Sequence, residues 1–149
     1  MTWLFHPLAL RLSRGALAVV MLLAAVSKLA DPPGFAQAIY AYGLVPMALV
    51  APLALTLPWL ETLTALGLVL GVARRSAALL ILIMMLAFLG GLGFNLAKGN
   101  PVDCGCFGAS KVQKTRDQRL SDMKMAMLRD LGFALLALHA LLAPRNKPE

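Results

Sequence analysis

The stretch AALLILIMMLAFLGGLGFNLA, residues 77–97, decides the fold because it is long, apolar and free of charged side chains. A helix rises about 1.5 Å per residue and the hydrocarbon core of a bilayer is about 30 Å thick, so about 20 apolar residues span it. Of the 149 residues, 60% are hydrophobic and 14% are charged, whereas soluble domains average about 25% charged residues. We therefore predict an integral membrane protein.

Three further apolar segments satisfy the same length requirement. With residues 77–97 they predict one transmembrane domain over residues 1–149, with spans at about 15–30, 49–73, 77–97 and 123–143. We expect Asp31-Pro32-Pro33-Gly34 to break the chain's helical course after the first span, since proline and glycine disfavour helix interiors. The predicted fold class is all-α, an integral membrane bundle of four transmembrane helices.

The net charge of +7 comes from basic residues between the apolar runs. It lacks a basic patch interleaved with aromatic residues, so it indicates membrane topology and no nucleic-acid partner. Arg11 and Arg14 precede an apolar run, as in a secretory signal, but three more apolar segments follow, so we favour an uncleaved first helix.

Basic residues are nearly balanced between the two membrane faces, which weakens the positive-inside rule as a guide. We give most weight to the tight turn at Arg74 and Arg75 and to the flank of the first helix. This places both termini in the cytoplasm of a bacterium, in a multi-pass protein of the inner (cytoplasmic) membrane, and the loop after the third span outside. One face carries Arg11, Arg14, Arg74, Arg75, Arg145 and Lys147, and the other carries Lys28, Lys98, Lys111, Lys114, Arg116, Arg119 and Lys124.

The two cysteines of the chain, Cys104 and Cys106, lie in that loop, in the turn-rich sequence NPVDCGCFG at residues 100–108. A disulfide needs Cα atoms about 4.4–6.8 Å apart, which cysteines flanking one glycine reach only in a bent and strained conformation. Strained disulfides are easily reduced, and so small a ring adds little stability. We predict that the pair is the catalytic site of a thiol-disulfide oxidoreductase; the alternative is two inert loop thiols. Asp103 would oppose the thiolate form, whereas a nearby cation would favour it.

Charged and polar side chains also lie within the spans or at their ends. A charge inside a bilayer is costly, and such groups usually pair or line a functional cavity. We expect Glu61 to contact Arg129 or Lys28, although Lys28 and Asp130 could instead reach the headgroups with their polar ends. Because the four spans alternate in direction, one membrane face gathers Ser27, Lys28, Glu61, Asn95, Asp103, Cys104, Cys106, Arg129 and Asp130.

No metal site is predicted within one chain. Structural zinc needs about four ligands, and His6 and His139 lie at the face opposite the cysteines, although two chains could pool four thiolates. The methionines are typical of apolar helices rather than of copper sites. Since the chain has no other cysteine, electrons from the pair need an external acceptor. A quinone between the helices near Glu61 and Arg129 is the candidate cofactor, by architectural analogy alone.

Taken together, these residues resemble the MauE family of methylamine utilisation, within the wider group of DoxX-like four-helix membrane proteins. The basic run from Lys111 to Arg119 is not part of that pattern. The resemblance rests on Ser27-Lys28-Leu29, Asp31, Phe35, Tyr40, Leu44-Val45-Pro46, Pro58-Trp59-Leu60-Glu61, Asn95, Arg129-Asp130 and, most specifically, Cys104-Gly105-Cys106-Phe107-Gly108.

The resemblance implies a membrane component of thiol-disulfide chemistry that matures a disulfide-rich client, such as the small subunit of methylamine dehydrogenase, beside a thioredoxin-like partner. Two other functions are open. One is a non-enzymatic membrane scaffold or assembly factor in which the cysteine pair is a local brace. The other is a small transporter that uses the intramembrane charges, which would have to oligomerise and lacks a convincing inverted repeat.

Overall fold

The structure is a computed structural model that describes residues 7–102 and 115–142. Within these ranges it contains five α-helices and no strand: α1 (Pro7–Ala30), α2 (Pro32–Ala41), α3 (Met47–Leu70), α4 (Arg74–Ala97) and α5 (Arg116–Leu142). Four helical segments are long and apolar enough to span a membrane, namely Leu10–Ala30, Met47–Leu70, Arg74–Ala97 and Arg116–Leu142. The predicted all-α fold with four membrane-spanning helices is confirmed.

The four long helices form a ring in which each packs against two others: α1 against α3, α3 against α4, α4 against α5, and α5 against α1. The largest buried cluster joins Leu17 of α1 and Ile81 of α4, both in the first half of their helices, to Leu68 of α3 and Ala137 of α5, both in the second half. Consecutive long helices therefore run in opposite directions, and the core at one end of the described bundle is dominated by apolar side chains.

The outer surface of the bundle is apolar on every long helix. Leu23 of α1, Leu63 of α3, Ile83 of α4 and Leu128 of α5 are each more than half exposed. In water such a surface would be unfavourable, since each exposed leucine or isoleucine forgoes about 1.5–3 kcal/mol of burial. It is the surface that lipid chains require.

The motif Asp31-Pro32-Pro33-Gly34 ends α1, as expected, but it also begins a helix that the sequence analysis did not predict. Asp31 is the N-cap of α2, and its Oδ1 accepts a hydrogen bond from Gly34 N at 3.1 Å. Proline is well suited to the first helical positions because its missing N–H has no partner there in any helix. Phe35 and Ile39 of α2 pack on Val50 and Ala54 of α3, which fixes the short helix against the bundle.

The helix ends differ from the predicted span boundaries. α1 begins at Pro7 rather than near residue 15, and α5 begins at Arg116 rather than near residue 123. Four of the six charged residues in these added turns are exposed, and the other two, Arg14 and Arg119, are partly buried. Their charges lower the mean hydropathy of the added turns, which is why a hydropathy criterion left these turns out. α3 ends earlier than predicted, at Leu70, because Gly71 adopts a left-handed conformation with φ of 75°. Such a residue commonly ends a helix.

Candidate functional site

Lys28 and Glu61 form an ion pair inside the bundle, where the Lys28 ammonium donates a hydrogen bond to Glu61 Oε1. Lys28 lies near the end of α1 and Glu61 near the middle of α3. Each side chain is about 1% exposed. Lys28 is therefore buried and does not reach the headgroup region, and its pairing with Glu61 is one of the two contacts expected from the sequence.

Two phenylalanine rings complete the surroundings of the Lys28 charge. Its Nζ lies 5.1 Å from the centroid of the Phe35 ring on α2 and 5.2 Å from that of the Phe88 ring on α4. A cation within about 6 Å of a ring centroid is attracted by the negative face of the π-system, most strongly where water is excluded. The positive charge of Lys28 is thus stabilised by groups from three different helices.

Asp130 of α5 is the second buried carboxylate. Its neighbour Arg129 donates hydrogen bonds to Asp130 Oδ1 from Nε at 3.1 Å and from Nη2 at 2.9 Å. The Arg129 side chain is 32% exposed, whereas that of Asp130 is 2% exposed. Arg129 therefore connects the bundle surface with a carboxylate in the interior, and Asp130 does not reach the headgroups as the alternative interpretation had it.

Lys28, Glu61 and Asp130 line one small cavity between the helices. Its volume of about 10 Å³ is close to the minimum that accommodates one water molecule, and this cavity is too small for a quinone ring. The buried Glu61 Oε2 has no hydrogen-bond partner among the described residues. The remaining walls are apolar, and the full lining is Val20, Met21, Ala24, Lys28, Glu61, Met85, Asp130 and Phe133.

Asn95, predicted to lie at the same membrane face as these charges, belongs to a separate polar cluster at the end of α4. Its Nδ2 donates hydrogen bonds to Tyr42 O at 3.1 Å and to Gly91 O at 3.0 Å. Its Oδ1 accepts one from Asn100 Nδ2 at 3.0 Å. Asn95 does not line the cavity; it fixes the turn after α2 and the residues after α4 to the bundle.

Asp103, Cys104 and Cys106, predicted as site residues, lie outside the residues that the structure describes. The described residues on both sides of them are held at the same end of the bundle. Val102 N donates a hydrogen bond to Met123 Sδ of α5 at 3.3 Å. Arg116 Nη2, from the first turn of α5, donates one to Gly99 O at 3.1 Å.

Three apolar partners of the buried charges, Met85, Phe88 and Phe133, were not predicted from the sequence. The helical repeat could have predicted two of them, because residues three, four or seven positions apart share a face of a helix. A residue at such a spacing from a buried polar residue therefore also faces the interior. Phe88 precedes the buried Asn95 by seven residues on α4, and Phe133 follows the buried Asp130 by three on α5. Searching those positions around each intramembrane polar residue would have identified both rings.

Comparisons with known proteins agree on one family. Residues 6–143 match the sequence profile of a family described as "Methylamine utilisation protein MauE". This match includes all four membrane-spanning helices, the Lys28, Glu61 and Asp130 cluster, and both cysteines. No solved structure matches the chain significantly.

Three curated relatives carry the printed name "Methylamine utilization protein MauE". The protein of Methylorubrum extorquens is 36% identical over 76% of this chain and 62% of its own length. That of Methylophilus methylotrophus is 36% identical over 60% of this chain and 47% of its own length. That of Paracoccus denitrificans is 32% identical over 70% of this chain and 57% of its own length. The aligned part thus spans about half of each relative, and with the family match over nearly its whole length this chain belongs to the MauE family.

Proposed function

We propose that this chain is an inner-membrane component of methylamine utilisation that exchanges disulfides with an extracytoplasmic protein through Cys104 and Cys106. The client is a disulfide-containing protein, such as the small subunit of methylamine dehydrogenase, or a thioredoxin-like protein that acts between the two. Membership in the MauE family supports the metabolic assignment. The cysteine pair supports the chemistry, since one intervening glycine favours a strained and reactive disulfide.

The observation that carries this proposal is the way the chain is held on both sides of the cysteines. Val102 is fixed to Met123, and Arg116 is fixed to Gly99, so the segment between them starts and finishes at one end of the bundle. Both ends of the segment that carries the cysteines therefore lie at the end of the bundle that we place on the extracytoplasmic side, where a client protein has access.

The exchange conserves electrons between two sulfur pairs. A client thiolate attacks one sulfur of the Cys104–Cys106 disulfide, which forms a mixed disulfide and releases the other cysteine as a thiolate. A second client thiolate then attacks the mixed disulfide, so the client gains a disulfide and the pair becomes a dithiol with the two electrons. The reverse sequence reduces a client by the same steps.

The reduced pair must pass its two electrons to an acceptor outside this chain, because the chain has no further cysteine. A thioredoxin-like disulfide accepts them by the exchange already described. A quinone, the other candidate, would have to bind elsewhere than in the cavity beside Glu61, whose volume is about 10 Å³.

Labelling with a membrane-impermeant maleimide in intact cells tests the state and side of the pair. We expect labelling of Cys104 and Cys106 only after a reductant is added, read as a mass shift of the purified chain. The variant Cys104→Ser/Cys106→Ser is the control and must not label. Labelling confined to disrupted cells would place the pair in the cytoplasm and overturn the proposed orientation.

Trapping of a mixed disulfide tests the exchange itself. Acid quenching followed by alkylation should preserve a covalent complex between this chain and its client, which is dissolved by reductant. The double variant Cys104→Ser/Cys106→Ser should give no such complex and should fail to support growth on methylamine. Undiminished trapping would refute the exchange, and full growth of the double variant would favour a scaffold.

A further inference from the structure

The cavity beside Glu61 carries an inference that does not depend on the cysteines. We propose that it binds one water molecule and that Glu61 is a proton-binding carboxylate inside the bundle. The ligand class is therefore water together with an exchangeable proton, held between Glu61 of α3, Lys28 of α1 and Asp130 of α5.

The unpartnered oxygen of Glu61 is the first reason. Glu61 is fully buried, and its Oε2 has no hydrogen-bond donor within the described part of the chain. A buried carboxylate oxygen without a donor is costly, because desolvation is not repaid. One water molecule in the adjoining cavity would supply the donor.

The composition of the cavity wall is the second reason. A buried water needs two to four polar partners and a volume close to that of this cavity. Glu61, Lys28 and Asp130 provide such partners, while Met85, Phe133 and the α1 side chains exclude bulk water. An entirely apolar cavity of this volume would remain dry.

The charges around the site allow Glu61 to take up a proton without leaving Lys28 isolated. Protonation turns the carboxylate into a carboxylic acid and involves no electron transfer. Lys28 keeps the rings of Phe35 and Phe88 beside its ammonium group, and Asp130 on the same cavity wall supplies a negative charge. Among the residues that line the cavity, α1 contributes one titratable group, Lys28, and α5 contributes Asp130.

A polar connection joins this site to the bundle surface. Asp130 lines the cavity and accepts hydrogen bonds from Arg129, whose side chain is about one-third exposed. The contact between Arg129 and Asp130 therefore provides a polar route from the bundle surface to the cavity that avoids the apolar cluster around Leu17 and Ile81. The location of this connection on α5 makes Asp130 the relay and Glu61 the terminal group.

Infrared difference spectroscopy of the full chain in lipid nanodiscs, between alkaline and acidic buffer, tests the proposal. We expect a carboxylic acid C=O band that shifts in deuterated water and is lost in Glu61→Gln. The exposed carboxylate variant Asp117→Asn is the matched control and should retain the band. A folded Glu61→Gln protein with an unchanged band would overturn the proposal, as would the absence of any such band in the unmodified chain.

Two further measurements complete the test. The first keeps the proposal testable if the Glu61→Gln protein fails to fold, and the second identifies the bound ligand. Glu61→Asp keeps a carboxyl group, so its band should persist at a shifted frequency. Water labelled with the heavy oxygen isotope should shift an O–H stretching band of the buried water in the unmodified chain. If sodium ions displace the proton signal instead, the cavity is a cation site and the proposal is wrong.

The variant Cys104→Ser/Cys106→Ser separates this proposal from the disulfide exchange. It should keep the Glu61 band at full intensity, because the cavity is built only from helical residues of α1, α3, α4 and α5. Loss of the band in this variant would show that the Glu61 site depends on the cysteines and would overturn the proposal in this form. If disulfide exchange fails while the band remains, only the proposed function is refuted.

Discussion

The two members of the buried ion pair, Lys28 and Glu61, are not stabilised by equal numbers of neighbouring groups. Glu61 relies on a single cation, Lys28, for one oxygen, whereas Lys28 is also flanked by Phe35 and Phe88. Removing one member of a buried ion pair leaves the other uncompensated, which costs more than removing both. We therefore expect the folded protein to lose more stability when Glu61 loses its partner than when Lys28 does.

The change Lys28→Met should destabilise the folded protein by about 3–5 kcal/mol, because it leaves the Glu61 carboxylate without a cation. The double variant Lys28→Met/Glu61→Gln should lose less than the sum of the two single variants. Unfolding in mixed detergent and dodecyl sulfate micelles, followed by circular dichroism, measures all four proteins of this cycle. Strict additivity would show that the pair has no energetic coupling.

At Gly91, the addition of a single methyl group should destabilise the folded protein. A Cβ atom there would lie 2.7 Å from a ring carbon of Tyr42, and Gly91 O also accepts a hydrogen bond from Asn95. Gly91→Ala should destabilise by about 1–3 kcal/mol through overpacking. The adjacent Gly90→Ala is the matched control, since its Cβ would meet nothing within 4 Å.

The same unfolding assay distinguishes these two glycines. Gly90→Ala should be neutral or stabilising by up to about 1 kcal/mol, the difference in helix propensity between the two residues. Equal effects of the two substitutions would mean that the Tyr42 ring moves freely and that the contact at Gly91 is not tight.

For single residues, the sequence predicted the charged members of the site and offered Lys28 and Arg129 as alternative partners of Glu61. Lys28 and Glu61 could be paired because charges inside lipid must be compensated and because alternating spans bring their ends together. The choice between Lys28 and Arg129 as the partner of Glu61 could not be made, since it depends on the rotation of α5. That rotation directs Asp130 into the cavity and leaves Arg129 partly exposed.

At the level of the helices, hydropathy and N-cap residues predict different elements. Hydropathy located all four spanning helices, because each has a long apolar run. It missed α2, which is short and begins with two prolines. The signal for α2 was present in Asp31 directly before Pro32, since aspartate is a preferred N-cap and proline a preferred first residue.

The cap at Asp31 should contribute measurably to stability. Asp31→Ala removes the acceptor for Gly34 N and should cost about 0.5–2 kcal/mol, because α2 then frays from its packing on α3. Asp31→Ser retains an acceptor of similar reach and should recover most of that loss. Unfolding midpoints compare the three proteins; a loss as large for serine as for alanine would assign the effect to the charge of Asp31 rather than to the cap.

Across the whole molecule, polarity is divided along the bundle axis. Within the described residues, one end of the interior is dominated by the apolar cluster around Leu17, Leu68, Ile81 and Ala137. The middle holds the Glu61 and Asp130 cavity, and the other end holds Asn95 and the anchored residues Gly99 and Val102. This gradient is imposed by alternating helix directions, and it brings the polar residues toward the end where the cysteine loop begins.

The orientation of this gradient in the membrane is the prediction that belongs to the whole chain. Val72 and Lys98 lie at opposite ends of α4 and are both exposed. In a Cys104→Ser/Cys106→Ser background, Lys98→Cys should react with an impermeant maleimide in intact cells, and Val72→Cys only in disrupted cells, because α4 alone separates them. The reverse pattern would place the termini outside and the cysteine loop in the cytoplasm, and identical reactivity of both positions would mean that α4 does not cross the membrane.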